Sequence, residues 1–559
     1  MRLRLAYYLV LLICIMPMIP GMIGILSSSL GFIPAVGLQD FNLQAFLQLW
    51  QWTGIERSLL LSVSSSLISS YLALIICFAI LACLWHSKHW QRIEQVLAVL
   101  LALPHVAFAI GFAFLFSSTG ITSRLFYAAT GGQLSTHSAT WLVQDPYALG
   151  LTIALALKEV PFLLLMSIPI IQQLQIRPLL KVGASLGYST QQTWYQLIFP
   201  QWLPRMRLAL FAVISYGISV VDLSLILGPN TPPTFAVLVW QWFNDPDLQR
   251  LPRAAAGALL LLGLASLMLL LIILIERGII NYYRQWMWSG RRRLWIPGKV
   301  LFAFISGISL IIFPIMLLWS VAQRWRFPDL WPSTVSLRFW INEWPNMLPA
   351  LYQSLVLAII SGSLALVFAM ISHEYRLKST KPISSYWLLM PMLLPAISIL
   401  FGMQIMTLLL SGSYYTLWVV WGHVFFAFPL VFLALDGAWK SYPPAYQHIA
   451  TSLGKNAWHI FWRIKAPLLA PALFYAWAVG ISVSLAQYLP TLMLGGGRFM
   501  TITTEAVTVS SGFDRRIIAI YALWQAILPF IFFLLAIILS RVSSVSPANQ
   551  KTTQHEFSS

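Results

Sequence analysis

The chain has 559 residues, of which 59% are apolar and 9% are charged, and its formal net charge is +18. Soluble globular domains carry about 25% charged residues, so this composition excludes the soluble, fibrous and disordered classes of protein. The mean hydropathy of +0.78 and the aromatic fraction of 14% indicate an integral membrane protein. Its three cysteines all lie in apolar runs, which argues against a zinc site or a disulfide framework.

Twelve apolar runs are long enough to cross a bilayer, because one crossing takes roughly 20 residues of helix. In chain order the runs are 8–30, 58–84, 95–116, 147–171, 208–228, 254–276, 300–322, 348–372, 386–410, 417–436, 468–494 and 517–539. They predict an all-α polytopic membrane protein with about 12 transmembrane helices.

Lysine and arginine are distributed unequally between the two sides. The N-terminus and the loops after even-numbered runs hold 23 of the 34 basic residues, whereas the opposite loops hold 10. The positive-inside rule therefore places both termini in the cytoplasm. The densest basic cluster, in the linker 277–299, is interpreted as a segment beside anionic lipid rather than as a nucleic-acid site.

A spacing of landmark residues occurs twice in the chain. Gly187 is followed by Pro200 thirteen residues later, and Gly454 is followed by Pro467 at the same spacing, 267 residues further on. Such self-similarity predicts an internal repeat.

The repeat predicts two homologous six-helix halves related by a pseudo-twofold axis along the membrane normal. The first half is expected at 1–276 and the second at 300–539, joined by the basic linker 277–299 and followed by a polar cytoplasmic tail at 540–559. Two upstream landmarks, Leu103-Pro104 with Gly111 and Leu394-Pro395 with Gly402, stand 291 residues apart. The longer offset indicates an insertion at 117–146, on the outer side.

Both landmark glycines lie in cytoplasmic loops, at about 172–207 and 437–467. Each loop reads as helix, turn and helix, with the glycine ending the first helix in the left-handed conformation. Ser189 and Asn456 are expected to cap the second helix, and the following proline is expected to end it.

Each loop carries apolar side chains that we expect to project at the membrane surface: Leu186, Trp194 and Tyr195 in the first loop, and Leu453, Phe461 and Trp462 in the second. An interface with a two-lobed cytoplasmic partner is one interpretation, and aromatic residues resting at the lipid headgroups is the other.

The loops resemble the "EAA" loop of permeases from binding-protein-dependent ABC importers. The motif of that loop is Glu-Ala-Ala, three residues of any type, a glycine, nine residues of any type, and then Ile-x-x-Pro. The fused arrangement is similar to the thiamine-type and ferric-iron-type permeases and to their single-chain relatives. The resemblance implies the type I importer permease fold and two loops that insert into an ATPase. The residues in these coupling loops are Ala184, Ser185, Leu186, Gly187, Trp194, Tyr195, Pro200, Ser452, Leu453, Gly454, Phe461, Trp462 and Pro467.

The resemblance also implies the partners: a homodimeric cytoplasmic ABC ATPase, a periplasmic substrate-binding protein and the bilayer of the bacterial inner membrane. The chain itself lacks the G-x-x-x-x-G-K-[ST] motif, so we expect no enzyme activity, no bound cofactor and ATP held by the partner subunit. Neither a metal site nor a nucleic-acid partner is expected. Where the motif has Glu-Ala-Ala, the chain has 181–183 Lys-Val-Gly and 448–450 His-Ile-Ala, so the acidic contact of the family is missing.

Polar residues within the fifth and eleventh runs are candidates for the translocation path, because the resemblance implies that these helices line it. They are Ser219, Asp222, Ser224, Ser482, Ser484, Gln487 and Tyr488. The alternative role of such residues is hydrogen bonding between helices.

Two other classes of protein compete with the importer permease. A proton-coupled secondary transporter of the major facilitator type also has two six-helix halves, but its signature loop is absent between the second and third runs. A membrane-embedded transferase would need acidic catalytic residues in outer loops, where the available acids are scattered. Nothing in the sequence identifies the substrate.

Overall fold

A computed structural model describes residues 2–88, 90–131, 142–289, 296–379, 383–410, 414–512 and 514–543. Parts of the insertion 117–146 and of the linker 277–299, and most of the tail 540–559, lie outside these residues. The described chain is almost entirely helical, which confirms the predicted all-α class. A small antiparallel ribbon pairs Ala322–Arg324 with Thr334–Val335.

The α-helices are numbered in chain order. Before the basic linker they are α1 Arg2–Cys14, α2 Met18–Ser29, α3 Gln44–Trp50, α4 Ile55–Leu84, α5 Trp90–Ala102, α6 His105–Phe116, α7 Ile121–Ala129, α8 Leu149–Gln173, α9 Ile176–Ser185, α10 Thr190–Thr193, α11 Phe199–Trp202, α12 Arg207–Ser219, α13 Asp222–Leu227, α14 Phe235–Phe243 and α15 Leu251–Ser289. After it they are α16 Gly298–Val321, α17 Arg338–Lys378, α18 Ser385–Leu388, α19 Ala396–Leu410, α20 Tyr415–Ser441, α21 Pro444–Ser452, α22 Ala457–Ile460, α23 Ala466–Ala486, α24 Leu489–Gly495, α25 Ile502–Ser510 and α26 Arg515–Ser543.

Short segments of other helix types connect these elements. The 3₁₀ turns are Pro34–Val36, Leu203–Met206, Leu248–Arg250 and Met390–Met392. The π-helical turns are Trp194–Ile198 and Phe461–Lys465.

Eleven helices among the described residues are long and apolar enough to cross a membrane, and they correspond to eleven of the twelve predicted crossings. The ninth prediction, one continuous helix over 386–410, is wrong. Pro391 and Pro395 interrupt it, because proline donates no backbone hydrogen bond and restricts the residue before it. The remaining helix, α19, has 15 residues and is about 22 Å long.

The third predicted crossing is interrupted in the same way. Pro104 separates α5 from α6 and stands at the N-cap of α6. Pro104 and Pro395 were matched landmarks of the repeat, so the same break occurs at both matched positions.

The first membrane helix of each predicted half packs on the third membrane segment of the other. Helix α2 packs on α19, and α16 packs on α6. A Cβ at Gly402 would lie 1.7 Å from the carbonyl oxygen of Gly21, and a Cβ at Gly111 would lie 2.1 Å from Cγ2 of Ile312. Because glycine lacks a Cβ, the helices approach closely at both places. This contact explains why Gly111 and Gly402 recur as landmarks.

We expect the substitution Gly402→Ala to destabilise the protein, because its methyl group would overlap the backbone of α2 at Gly21. Overpacking of this kind costs about 1–3 kcal/mol. The apparent melting temperature of the purified protein in detergent should fall by several degrees. The matched control is Gly307→Ala in α16, where no atom lies within 4 Å of the added carbon. Equal melting temperatures for the two variants would contradict the importance of this crossing.

Candidate functional site

Both coupling loops turn at a glycine in the left-handed conformation, with φ of +75° at Gly187 and +73° at Gly454. The residue after each glycine donates its N–H to the carbonyl five residues before it, at 2.9 Å and 3.1 Å. This is the Schellman pattern, which satisfies the last carbonyls of a helix. The predicted glycine caps are confirmed in both loops.

The helix after each turn begins with the expected N-cap. The Ser189 hydroxyl accepts a hydrogen bond from the backbone N–H of Gln192 at 3.2 Å, and the side-chain Oδ1 of Asn456 accepts one from the backbone N–H of His459 at 2.8 Å. Side-chain acceptors at this position stabilise a helix start by about 1 kcal/mol. Two different residue types therefore perform the same role in the two loops.

The prediction that Pro200 and Pro467 end these helices is wrong. The helices continue as Thr190–Ser219 and Ala457–Ala486. In each, a π-helical turn ends two residues before the proline and is closed by a hydrogen bond that spans five residues. The wider turn changes the hydrogen-bond register where proline has no N–H to donate. The coupling helix and the membrane helix are therefore one continuous element.

Apolar side chains are exposed at matching positions of the two loops. Leu186 and Leu453 are 61% and 71% exposed, and Val182 and Ile449 are 52% and 59% exposed. Ala184, Ser185 and Ser452 also lie on the exposed side. Exposed apolar side chains grouped in this way are typical of a protein interface.

The aromatic side chains differ between the loops. Trp194 and Tyr195 are buried against Phe78 of α4, with ring centroids 5.9 Å and 5.4 Å from it. The prediction that these two residues project outward is therefore wrong. Trp462 and the neighbouring Trp458 are exposed, as expected of the second loop. Aromatic packing fastens the first loop to the bundle, whereas the second loop displays its aromatic rings.

Each coupling helix is held at its base by an ion pair to another membrane helix. Lys465, only 2% exposed, lies 2.6 Å from Glu374 of α17. Arg207, at the start of α12, makes two hydrogen bonds to Glu276 of α15, at 2.5 Å and 2.9 Å. Such pairs fix the direction in which each loop leaves the bundle.

The fifth and eleventh predicted crossings are interrupted at matching positions. The first break separates α12 from α13, and the second separates α23 from α24. Discontinuous membrane helices are typical of substrate sites in transporters, because the unwound backbone needs polar surroundings. All of the predicted path residues, Ser219 to Ser224 and Ser482 to Tyr488, lie within five residues of a break.

Polar side chains of the two breaks lie within electrostatic range of one another. Asp222, at the first break, interacts electrostatically with Tyr488 at the second, and also with His105 and Tyr216. The imidazole Nε2 of His105 lies 3.5 Å from the carboxylate of Glu159. This group contains two carboxylates within predicted membrane crossings, where an ionisable residue is a candidate for function.

Beside the second break lies a histidine that the sequence reasoning missed. His423 is buried, with its ring nitrogens 2.7 Å from Ser484 Oγ and 2.8 Å from Thr491 Oγ1. Its carbonyl accepts a hydrogen bond from the amide of Gln487 at 3.1 Å. An ionisable residue in an apolar run was the available signal, but its partners come from two other helices, Ser484 from α23 and Thr491 from α24.

At the opposite end of the bundle, acidic side chains in the loop 229–253 are paired locally. Asp245 lies 3.2 Å from Arg250 and 3.6 Å from Arg253. A hydrogen bond from the backbone N–H of Asp247, together with these two charges, holds the pKa of Asp245 below its ordinary value. The acid is therefore a structural element of this loop.

We expect the substitution Glu374→Gln to lower the free energy of unfolding by about 3 kcal/mol, because it leaves the buried Lys465 without its carboxylate. The control is Asp436→Asn, which breaks a pair of the same 2.6 Å length whose Lys440 is 71% exposed. An exposed pair contributes at most about 1 kcal/mol. Unfolding by sodium dodecyl sulfate in mixed micelles compares the two variants, and equal losses would contradict the anchoring role.

The chain was compared with known proteins, and no protein-family model matches it. It is 32% identical over 536 residues to the inner membrane ABC transporter permease protein YnjC of Escherichia coli, a match covering 94% of each chain. It is 25% identical over 270 residues to the putative 2-aminoethylphosphonate transport system permease protein PhnV of Salmonella typhimurium, covering 46% of this chain and 97% of PhnV. It is 23% identical over 211 residues to the molybdenum transport system permease protein ModB of Mycobacterium tuberculosis, covering 36% of this chain and 78% of ModB.

The match to YnjC extends over nearly the full length of both proteins. PhnV and ModB are also permeases of transport systems by name. These relationships favour an ABC permease over the proton-coupled secondary transporter considered above. The chain belongs to the ABC transporter permease family.

Proposed function

We propose that this chain is the permease subunit of an ABC importer and that it supplies both coupling loops to one homodimeric cytoplasmic ATPase. The observation that carries the proposal is the equivalence of the two loops. Each has a left-handed glycine, a side-chain N-cap, a π-helical turn before the proline, and an exposed leucine, at the same offset. A twofold-symmetric partner needs two equivalent contact sites on the permease.

The lengths of the relatives support a two-in-one arrangement. PhnV matches over 97% of its own length but only 46% of this chain. A permease of that size corresponds to about half of this chain. The mutual packing of α2 on α19 and of α16 on α6 gives the two proposed halves a shared core.

The charge of the two loops indicates which chemical groups the contacting surface of the ATPase should present. Neither 172–207 nor 437–467 contains an aspartate or a glutamate, and Lys181 and His448 stand where the family motif has its glutamate. Both side chains are exposed. We therefore expect the ATPase groove to offer apolar and acidic groups here, because a basic groove would repel these loops.

The proposed path runs between the two interrupted helices, past Asp222 and Tyr488. A substrate-binding protein would deliver the substrate to the periplasmic face, and both termini would lie in the cytoplasm of a cell whose inner membrane holds the protein. The excess of basic residues in the loops after even-numbered crossings supports this orientation.

The test is whether the left-handed turn is needed for assembly with the ATPase. No atom outside the adjacent residues lies within 4 Å of a Cβ added at Gly454. A substitution there therefore acts only through the backbone conformation that the new residue must adopt. Valine in the left-handed region costs about 1–2 kcal/mol, whereas asparagine tolerates it. When the cognate ABC ATPase is co-expressed, the affinity-captured Gly454→Val variant should retain at most about one fifth of the wild-type amount of ATPase, and Gly454→Asn should retain nearly the wild-type amount.

The control is Gly263→Val on α15, which lies outside both loops and also has open space around it. That variant should retain the ATPase normally. Equal retention by all three variants would contradict a coupling role for the loop. Uptake driven by a proton gradient, in vesicles that contain this chain without ATP or an ATPase, would contradict the importer function itself.

A further inference from the structure

A cavity rich in arginine lies where α16 ends and α26 begins. Helix α16 starts against Ala79 of α4, at the end of the bundle where the first coupling loop packs, so its last residues lie at the opposite end. The cavity has a volume of about 380 Å³, and Asp514 is the one acid among the lining residues that the structure describes. Four arginines line it: Arg124, Arg324, Arg515 and Arg516.

The single carboxylate of the cavity is already engaged by one of these arginines. Asp514 accepts two hydrogen bonds from the guanidinium of Arg516, at 2.7 Å and 2.9 Å. Arg515 donates instead to the neutral hydroxyls of Ser117 and Thr119, at 3.3 Å and 2.6 Å. The exposed guanidinium of Arg324 makes no hydrogen bond or ion pair with the described residues. Two cations of the cavity therefore lack a carboxylate partner in the described chain.

The fourth arginine is buried among neutral groups. Arg124, 1% exposed, donates to the carbonyl oxygens of Thr119 and Arg326 at 3.1 Å and 2.8 Å. Its guanidinium lies over the ring of Trp325, 4.8 Å from the centroid. The carboxylate of Asp329 acts on it electrostatically from outside the cavity lining. Burying a charge in this way is costly unless an opposite charge lies close to it.

A buried hydrogen-bond donor in the same cavity has no partner. The indole Nε1 of Trp319 is buried and makes no hydrogen bond with the described residues, and Trp319 is only 7% exposed. The guanidinium of Arg515 lies over its ring, 5.0 Å from the centroid. An indole N–H can only donate, and an unsatisfied buried donor costs free energy. The cavity thus places an unused neutral donor beside an uncompensated cation.

The matching place in the proposed first half shows that the fold does not require this excess of charge. Helix α2 packs on α15 there, as α16 packs on α26. Arg253, near the start of α15, lies over the ring of Trp242, 4.9 Å from the centroid. At this place Asp245 neutralises the arginines, at 3.6 Å from Arg253 and 3.2 Å from Arg250. The same arginine-on-tryptophan arrangement is therefore compensated in one half and left cationic in the other.

We propose that the cavity between α16 and α26 binds one oxyanion of the phosphate type, held by Arg324, Arg515 and the indole N–H of Trp319. Four arginines and one aspartate leave a formal excess of three positive charges. A phosphate group carries about −1.5 to −2 at neutral pH, and guanidinium groups bind it through paired hydrogen bonds. The site is separate from the coupling loops and from the interrupted helices.

The occupant would connect parts of the chain that are far apart in sequence. Arg124 comes from α7, Arg324 from the ribbon that follows α16, and Arg515 from the start of α26. The cavity also lies at the ends of the predicted crossings 300–322 and 517–539. An oxyanion can therefore reach it either as free phosphate or as the phosphate of a lipid headgroup.

The test is isothermal titration calorimetry of the full-length, delipidated protein in detergent, with inorganic phosphate as the probe at constant ionic strength. The Arg324→Gln variant should bind about tenfold more weakly, because a hydrogen bond to a charged group contributes roughly that factor. Trp319→Phe keeps an aromatic ring but removes the N–H, and it should bind about fivefold more weakly. The control is Arg326→Gln, which removes the same charge two residues away and outside the cavity lining, and it should bind as the wild type does.

The source of the oxyanion is distinguished by native mass spectrometry of the same variants with dioleoyl phosphatidylglycerol. Lipid binding that falls in Arg324→Gln and Trp319→Phe, and that phosphate displaces, would support the site with a lipid headgroup as its occupant. Weaker phosphate binding with unchanged lipid binding would support the site with a free anion. Failure of the wild type to bind either probe would overturn the proposal. So would equal affinity of the wild type and both cavity variants for both probes, or an equal loss in Arg326→Gln.

Discussion

Helices α2 and α19 cross backbone to backbone at Gly21 and Gly402, and the arrangement of the whole bundle depends on this contact and on its counterpart, α16 on α6. Each crossing holds the first membrane helix of one predicted half against the third membrane segment of the other. Neither half could bury its apolar faces in this way alone. Both coupling loops therefore belong to one interlocked bundle. Any movement of one loop relative to the other must change the packing at these crossings.

A second constraint is the cost of placing polar backbone in a bilayer. The chain accepts that cost at two matching breaks, between α12 and α13 and between α23 and α24, and it surrounds them with polar side chains such as Asp222 and His423. Because each coupling helix continues through its π-helical or 3₁₀ turns up to its break, a displacement of a loop at the proposed ATPase contact would be applied directly to the proposed path. This continuity would link the proposed ATPase contact mechanically to the proposed path.

The sequence predicted the features that depend on local chemistry. Hydropathy located eleven of the crossings, and the conformation of Gly187 and Gly454 followed from the spacing and from the special freedom of glycine. Features that depend on distant partners were not predictable. Trp194 is buried because Phe78 of α4 lies beside it, whereas Trp462 contacts the rings of Trp458 and Phe461 in its own loop and is exposed. Both helices continue past their prolines because a π-helical turn changes the register of the backbone hydrogen bonds. The hydrophobic periodicity of a sequence gives no signal for such a turn.

The central claim is that one copy of this chain supplies both docking sites of the transporter. The most direct measurement is the subunit stoichiometry of the intact complex with its ABC ATPase, determined by native mass spectrometry from detergent micelles. The expected result is one permease chain bound to two ATPase chains, with Leu186 contacting one ATPase copy and Leu453 the other. A complex of two permease chains with two ATPase chains would contradict it, because a chain with two equivalent coupling loops would then leave half of them without a partner.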